Sequence, residues 1–202
     1  MSTGILLSGG IDSIALAYLK RPKYAFTINY GQIPAEAEFL ASAAICNELN
    51  IIHHRINIDC SSLGSGDLLD QDSIEDSPSS EWWPYRNQLL VTLAVMKAIS
   101  LGVKELMVGS VKSDGFHKDG TEKFYQLLND LSSYQEGGVS ITSPAIHYTS
   151  AELVRASNVP DNLLLWAHSC HKSNSPCGNC RGCNKYLQVM YEIKGGAYES
   201  YT

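Results

Sequence analysis

Six residues near the N-terminus, Ser8-Gly9-Gly10-Ile11-Asp12-Ser13, constrain this chain more than any other stretch. They follow a short apolar run, Gly4-Ile5-Leu6-Leu7, and precede a segment with helical apolar spacing through Ala15, Leu16 and Leu19, so the order reads strand, glycine turn, helix. Two glycines let a backbone turn tightly and approach a ligand with no Cβ in the way, while the unpaired N–H groups of the helix start point into the turn. The ligand best suited to such a cradle is a phosphate. Asp12 and Ser13 also fit the cap positions of the helix, so a plain strand-to-helix turn is the competing reading. The spaced glycines and Gly-Lys-Ser/Thr ending of the common P-loop are missing, as is the Gly-x-Gly-x-x-Gly of dinucleotide sites.

A chain of 202 residues can bury one sizeable core, and no linker-like stretch divides it, so one domain with a small appendage is expected. Its net charge of -6 argues against a broad nucleic-acid footprint and points to a small-molecule partner. No window carries the roughly twenty apolar residues of a membrane span, and the N-terminus enters a strand directly; a cytoplasmic protein without membrane association is expected. The region 59–81, rich in Ser, Asp and Gly, reads as a long surface loop or lid, with Gly64-Ser65-Gly66 as part of that loop.

The alternation continues along the chain. Tyr24–Asn29 reads as a strand and Ala35–Leu49 as a helix with Ala37, Leu40, Ala41, Ala44, Ile45 and Leu49 on its apolar face. Ile51–Ile58 is strand-like, and Gln88–Ser100 is a helix carrying Leu89, Leu90, Leu93 and the run Val95–Ile99. Glu105–Val108 is a short buried strand ending at Gly109, Thr121–Leu131 another helix and Ser140–Ile146 a fifth strand. Such alternation predicts an α/β fold, a doubly wound parallel sheet covered on both faces, with ligands at the carboxyl ends of the strands. Ser8, Tyr30 to Gln32 and Gly109 to Asp114 all fall at such ends and should meet in one crevice.

Four of the six cysteines lie in Cys170-x6-Cys177-Gly-x-Cys180-x2-Cys183. Tetrahedral zinc takes thiolates on short turns of this kind, and Pro176 and Gly178 suit the tight knuckle. Two disulfides are the competing reading and would need an oxidising compartment. Four sulfur ligands leave no open position, so the role expected of the ion is structural. Cys46 and Cys60 read as small apolar fillers or inert thiols.

The Ser-Gly-Gly-x-Asp-Ser turn resembles the pyrophosphatase loop of the N-type ATP pyrophosphatases, and together with the cysteine knuckle on a chain of this size it resembles the 7-cyano-7-deazaguanine synthase (QueC) family. Between them, Asn29-Tyr30-Gly31-Gln32 is similar to the family's Asp-Tyr-Gly-Gln, and Tyr85-Arg86-Asn87 to its Gly-Arg-Asn. Val108-Gly109 opens a segment reaching Asp119 and Phe124, and Ser143-Pro144-Ala145-Ile146 with Ala151-Glu152 resembles the last strand and helix start. The resemblance implies an adenine nucleotide alpha hydrolase-like, Rossmann-like domain over residues 1–165 and a zinc-binding knuckle and tail over 166–202. It implies an ATP-dependent carbon-nitrogen ligase that adenylates 7-carboxy-7-deazaguanine, releases pyrophosphate and AMP, and uses ammonia to give an amide and then a nitrile. It also implies a homodimer.

On that resemblance, Leu7, Ser8, Gly9, Gly10, Asp12, Ser13, Asn29, Tyr30 and Gly109 are expected at ATP, with Asp12 in the shell of a Mg2+ ion. Gln32, Tyr85, Arg86, Asn87, Asp114, Phe116 and Asp119 are expected at the deazaguanine, with Asp12, Ser13, Arg86 and Lys112 the catalytic set. Arg86 and Asn87 also fit a loop cation and a helix cap, and Asp119 a solvated acid. The departures fall at the acceptor side. The family's Asp-Tyr-Gly-Gln-Arg-His becomes Asn29-Tyr30-Gly31-Gln32-Ile33-Pro34, and the lysine expected before Ala151-Glu152 is Ser150, for which Lys112 and Lys118 are candidate replacements. Trp82-Trp83-Pro84 reads either as a stacking platform or as packing. These changes imply a specialised relative, one version of which, as in family members of antiviral defence operons, attaches the deazaguanine to a protein amine. A nucleotide-binding interaction module without turnover is the reading from another class.

Overall fold

The computed structural model describes residues 2–195. Among them the strands β1 (Ser2–Leu6), β2 (Tyr24–Asn29), β3 (Ile52–Asn57), β4 (Val103–Val108) and β5 (Ser140–Thr142) form one sheet of order β3-β2-β1-β4-β5, every neighbouring pair parallel. Helices α1 (Ile11–Lys20), α2 (Ala35–Leu49), α3 (Arg86–Ser100), α4 (Glu122–Tyr134), α5 (Ser150–Ser157), α6 (Asp161–Leu164) and α7 (Arg181–Ile193) cover it. The doubly wound α/β expectation therefore holds.

Strand side chains alternate between two cores, as the period of two requires. Ile5, Ala25 and Met107 pack with α1, α2, α5 and α7 on one face, whereas Phe26, Leu106 and Val108 pack with α3 and α4 on the other. The chain reverses its winding between β1 and β4, whose carboxyl ends then splay and leave a crevice. At that point Gly109 is tight against α1: a Cβ there would meet Ser13 Cα at 3.1 Å.

Three expectations need correction. Leu40 is 61% exposed, and α2 buries Ala35, Ala41, Ser42, Ile45, Cys46 and Leu49 instead. The helix presents its small side chains because it lies close to the glycine turn; Ser42 Oγ donates to the Leu7 carbonyl at 3.2 Å. Likewise α3 buries Val91, Ala94 and Ala98, leaving Met96 and Ile99 exposed. β5 stops at Thr142, because Pro144 has no N–H for a ladder and the chain turns, Ile146 N–H bonding to the Ser143 carbonyl.

The 59–81 segment is an anchored loop with two short 3-10 turns. Leu68 is buried and its carbonyl accepts from Ile33 N–H at 2.9 Å. Gly66 has φ +71°, and a Cβ there would lie 2.0 Å from the Ser80 carbonyl oxygen, so this glycine is required by packing. Trp83 is buried, edge-on to Tyr30 with ring centroids 4.9 Å apart, which makes it a packing residue. Residues 196–202 of the predicted tail lie outside the described residues.

Candidate functional site

A cavity of about 690 Å³ opens at the carboxyl ends of β1 and β4. Its floor is the glycine turn. Gly10 is the N-cap of α1 and makes no side-chain cap, and the first intrahelical bond runs from Ile14 N–H to the Gly10 carbonyl at 3.1 Å. The N–H groups of Ile11, Asp12 and Ser13 precede that bond and have no intrahelical acceptor. Asp12 and Ser13 thus sit in the first helical turn and do not cap it, contrary to the competing reading. Gly9 has φ +74°, and a Cβ on it would press to 2.7 Å from the Glu38 carbonyl oxygen. Ser8 Oγ donates to Ser13 Oγ at 3.2 Å, and Ser13 Oγ to the Gly10 carbonyl at 2.9 Å, which fixes the turn from within.

The cavity's far wall is built around Arg86 at the start of α3. Burial alone would weaken its protonation, but Tyr30, Asp119 and Glu38 together hold it above its ordinary range, so it is a permanently charged guanidinium. Glu38 in the first turn of α2 has its carboxyl pushed up to about 7 by burial, against the donor of Gln32 and the charge of Arg86. Gln32 is itself pinned: its Oε1 accepts from Tyr30 N–H at 2.8 Å, and its Nε2 donates to the Ile28 carbonyl at 3.0 Å and to Glu38 Oε2 at 2.8 Å. Tyr125 is held in its neutral form mainly by burial, and its hydroxyl lies 2.6 Å from Ser110 Oγ.

The third side comes from the C-terminal segment. Lys185 Nζ on α7 lies 2.8 Å from Asp12 Oδ2 and 3.1 Å from Asp114 Oδ1, and these carboxylates outweigh burial in keeping it protonated. The other oxygen of Asp12, Oδ1, is buried with no hydrogen-bond partner. Arg181 donates to Glu81 Oε1 at 2.8 Å. Burial would raise the Glu81 carboxyl, but its own backbone N–H and Arg181 bring it below the usual range. His168 N–H donates to the Gly9 carbonyl at 2.9 Å, tying this segment to the turn itself.

Of the residues expected at the nucleotide, Leu7, Ser8, Gly10, Asp12, Ser13, Tyr30 and Gly109 line this cavity; Gly9 shapes its floor from behind, and Asn29 spends Oδ1 on Gly31 N–H. Of those expected at the substrate, Arg86, Asn87, Asp114 and Asp119 line it, although Asn87 Nδ2 donates to the Asp119 carbonyl at 2.9 Å. Gln32 lies behind Glu38, Tyr85 is 78% exposed, Phe116 sits under the Arg181 guanidinium, and Lys112 is exposed; these four do not line the cavity. Glu38, Glu81, Arg181 and Lys185 also line the cavity, although none of them is expected there from the sequence. A signal existed for Glu38, which falls in the first turn of a helix starting at a strand's carboxyl end. Lys185, two residues beyond the last knuckle cysteine, carries no signal before the knuckle is seen against α1.

The four cysteines meet as expected. The sulfurs of Cys170, Cys177, Cys180 and Cys183 all lie within 4.8 Å of one another, with Cys177–Cys183 at 3.9 Å and Cys180–Cys170 at 4.0 Å. A tetrahedron with zinc–sulfur bonds of about 2.3 Å has edges of about 3.8 Å, so the donor set fits zinc and not a pair of disulfides. The N–H groups of His171 and Cys183 both donate to Cys180 Sγ at 3.4 Å, the support expected of a structural thiolate site. Cys46 and Cys60 are buried, and burial pushes the Cys46 thiol up to about 12, consistent with an inert filler.

A solved NMN synthetase from Francisella tularensis superposes with a TM-score of 0.50 at 17% identity, covering 98% of this chain and 79% of that one, a likeness of fold. A 7-cyano-7-deazaguanine synthase of Desulforudis audaxviator is 31% identical over 217 residues, covering 95% of this chain and 97% of that protein. The enzyme of the same name from Methanobrevibacter smithii is 29% identical over 199 residues, 88% of each chain. The family model described as queuosine biosynthesis protein QueC matches residues 3–193, a span that takes in the glycine turn, both walls of the cavity and all four cysteines. This chain therefore belongs to the queuosine biosynthesis protein QueC family.

Proposed function

We propose that the cavity is the active site of an ATP-dependent carbon-nitrogen ligase acting on 7-carboxy-7-deazaguanine. The observation that carries this reading is the presence, in one cavity, of an anion cradle with free helix-start N–H groups and a half-buried, permanently charged arginine, in a chain whose relatives are named 7-cyano-7-deazaguanine synthase. The turn from Ser8 to Ser13 receives the nucleotide phosphates, its N–H groups and helix dipole stabilising charge that builds as pyrophosphate departs. Asp12 suits a magnesium shell, because its Oδ1 is a buried acceptor with no partner. Magnesium, when bound there, would draw charge from the phosphates.

Arg86 faces the acid substrate, and Asp119 and Glu38 beside it are acceptors for ring N–H groups. A substrate carboxylate oxygen attacks the α-phosphorus, forming an O–P bond as the bond to pyrophosphate breaks. The lone pair of ammonia then attacks the acyl carbon, AMP leaves with the C–O electron pair, and the ammonium-derived proton is released to give the amide. A second ATP then adenylates the amide oxygen with loss of pyrophosphate; the C–O bond breaks as AMP leaves with its electron pair, and the nitrogen gives up both N–H protons to form the nitrile triple bond. The segment from residue 166 serves as an extension of the same domain, with a structural zinc.

Mass spectrometry of products from zinc-loaded protein, magnesium, ATP, 7-carboxy-7-deazaguanine and ammonia tests this. AMP with amide or nitrile is expected. AMP with the deazaguanine mass on a protein would replace ammonia by a protein amine, and absence of AMP would overturn the ligase.

A further inference from the structure

The nucleotide reading requires a cation at the phosphates, and the position at which resemblance expects a lysine is Ser150, the buried first residue of α5. Lys112 and Lys118, the candidate replacements, are both exposed and neither lines the cavity. Among the described residues, three Lys or Arg side chains do: Arg86, Arg181 and Lys185. Arg86 is committed to Tyr30, Asp119 and Glu38 on the far wall. Arg181 is committed to Glu81 at 2.8 Å, with its guanidinium stacked 4.6 Å over Phe116. Lys185 alone stands at the glycine turn, its ammonium 2.8 Å from Asp12 in the first turn of α1 and 3.1 Å from Asp114.

We propose that Lys185 is the phosphate-contacting cation of this site, brought to the nucleotide by the helix that the four-cysteine cluster anchors. An ammonium has three donors, and the two carboxylates occupy two of them. Asp12 and Asp114 therefore hold the charge beside the α1 N-terminus, in place before any nucleotide enters. That arrangement offsets the repulsion which Asp12 would otherwise exert on an incoming triphosphate. The delivery is local in sequence: Cys180 is the N-cap of α7, its Sγ accepts from Cys183 N–H at 3.4 Å, and Lys185 follows two residues later. The cysteine cluster thus sets where the first turns of α7 lie, and with them where the ammonium stands. The ligand class is a nucleoside triphosphate or its pyrophosphate product, and the inference rests on the ATP reading above.

The test is equilibrium binding of α,β-methylene-ATP with magnesium, and of AMP, to the zinc-loaded full chain and to Lys185→Met, Lys185→Gln and Lys185→Arg. Losing a charge-assisted contact to phosphate should weaken the triphosphate about tenfold or more in the Met and Gln variants. AMP should bind them within about twofold of wild type, Lys185→Arg should keep most of the triphosphate affinity, and all should retain about one zinc per chain. Triphosphate affinity unchanged in a zinc-loaded Met or Gln variant would overturn the proposal while leaving the ATP reading intact. Equal loss of triphosphate and AMP would overturn it in favour of a strut that holds α7 to the body. Wild type binding neither ligand would instead sink the ATP reading, and this inference with it.

Discussion

Asp12 carries two oxygens with different fates, one paired to Lys185 and one buried without a partner, and the second is the acceptor that the proposed magnesium would take up. Asp12→Asn keeps the shape and removes the charge; AMP formation should fall by roughly 10²–10³-fold, with the thermal midpoint within a few degrees of wild type. Full activity in that variant would remove Asp12 from the chemistry. Gly9→Ala places a Cβ 2.7 Å from a backbone oxygen at positive φ, and should cost on the order of 1–3 kcal/mol in denaturant unfolding. Glu38 makes a prediction about pH. Its folded carboxyl is pushed from an ordinary 4.5 up to about 7, so the folded state binds the proton more tightly and stability falls as pH rises between those values, then levels. Glu38→Gln still offers an acceptor to Gln32 and removes the titration. Between pH 5 and 8, wild type should lose on the order of 1–3 kcal/mol more than the variant, and parallel curves would contradict the burial argument.

The ends of β2 and α2 stand where the periodicity puts them, since Tyr24–Asn29 and Ala35–Leu49 are bounded by left-handed Arg21 and Asn50 and by Pro34. The buried face of α2 was not legible, because Leu40 outranks Ser42 and Cys46 in hydrophobicity, and only the closeness of the helix to Gly9 and Leu7 favours small side chains there. The knuckle was legible from spacing alone as a four-cysteine cluster suited to zinc, but its second consequence was not. Lys172 pairs with Asp67 at 3.2 Å and Arg181 with Glu81 at 2.8 Å, so the same segment that supplies Lys185 also fastens the 59–81 loop over the cavity. Chelation of zinc should therefore make that loop and α7 readily cleaved by protease while β1, β2 and β4 stay protected. Uniform protection after complete zinc removal would show that the cluster does not organise the site.

For the whole molecule, the strand order places the switch point between β1 and β4, and helices starting at the sheet's carboxyl edge bring Asp12, Glu38 and Arg86 to one cavity. Residues belonging to the glycine turn and to the ends of strands were readable because their place at the cavity follows from backbone form. Residues arriving from 100 or more positions away, such as Lys185 at Asp12 and Arg181 at Glu81, depend on packing that no local pattern encodes. The proposed activation of a carboxylate by adenylation in this cavity is isolated from any later transfer to an amine by exchange of labelled pyrophosphate into ATP. Exchange should require 7-carboxy-7-deazaguanine, proceed without ammonia and be lost in Asp12→Asn. Acid-dependent release of ADP and orthophosphate, with no exchange, would contradict it.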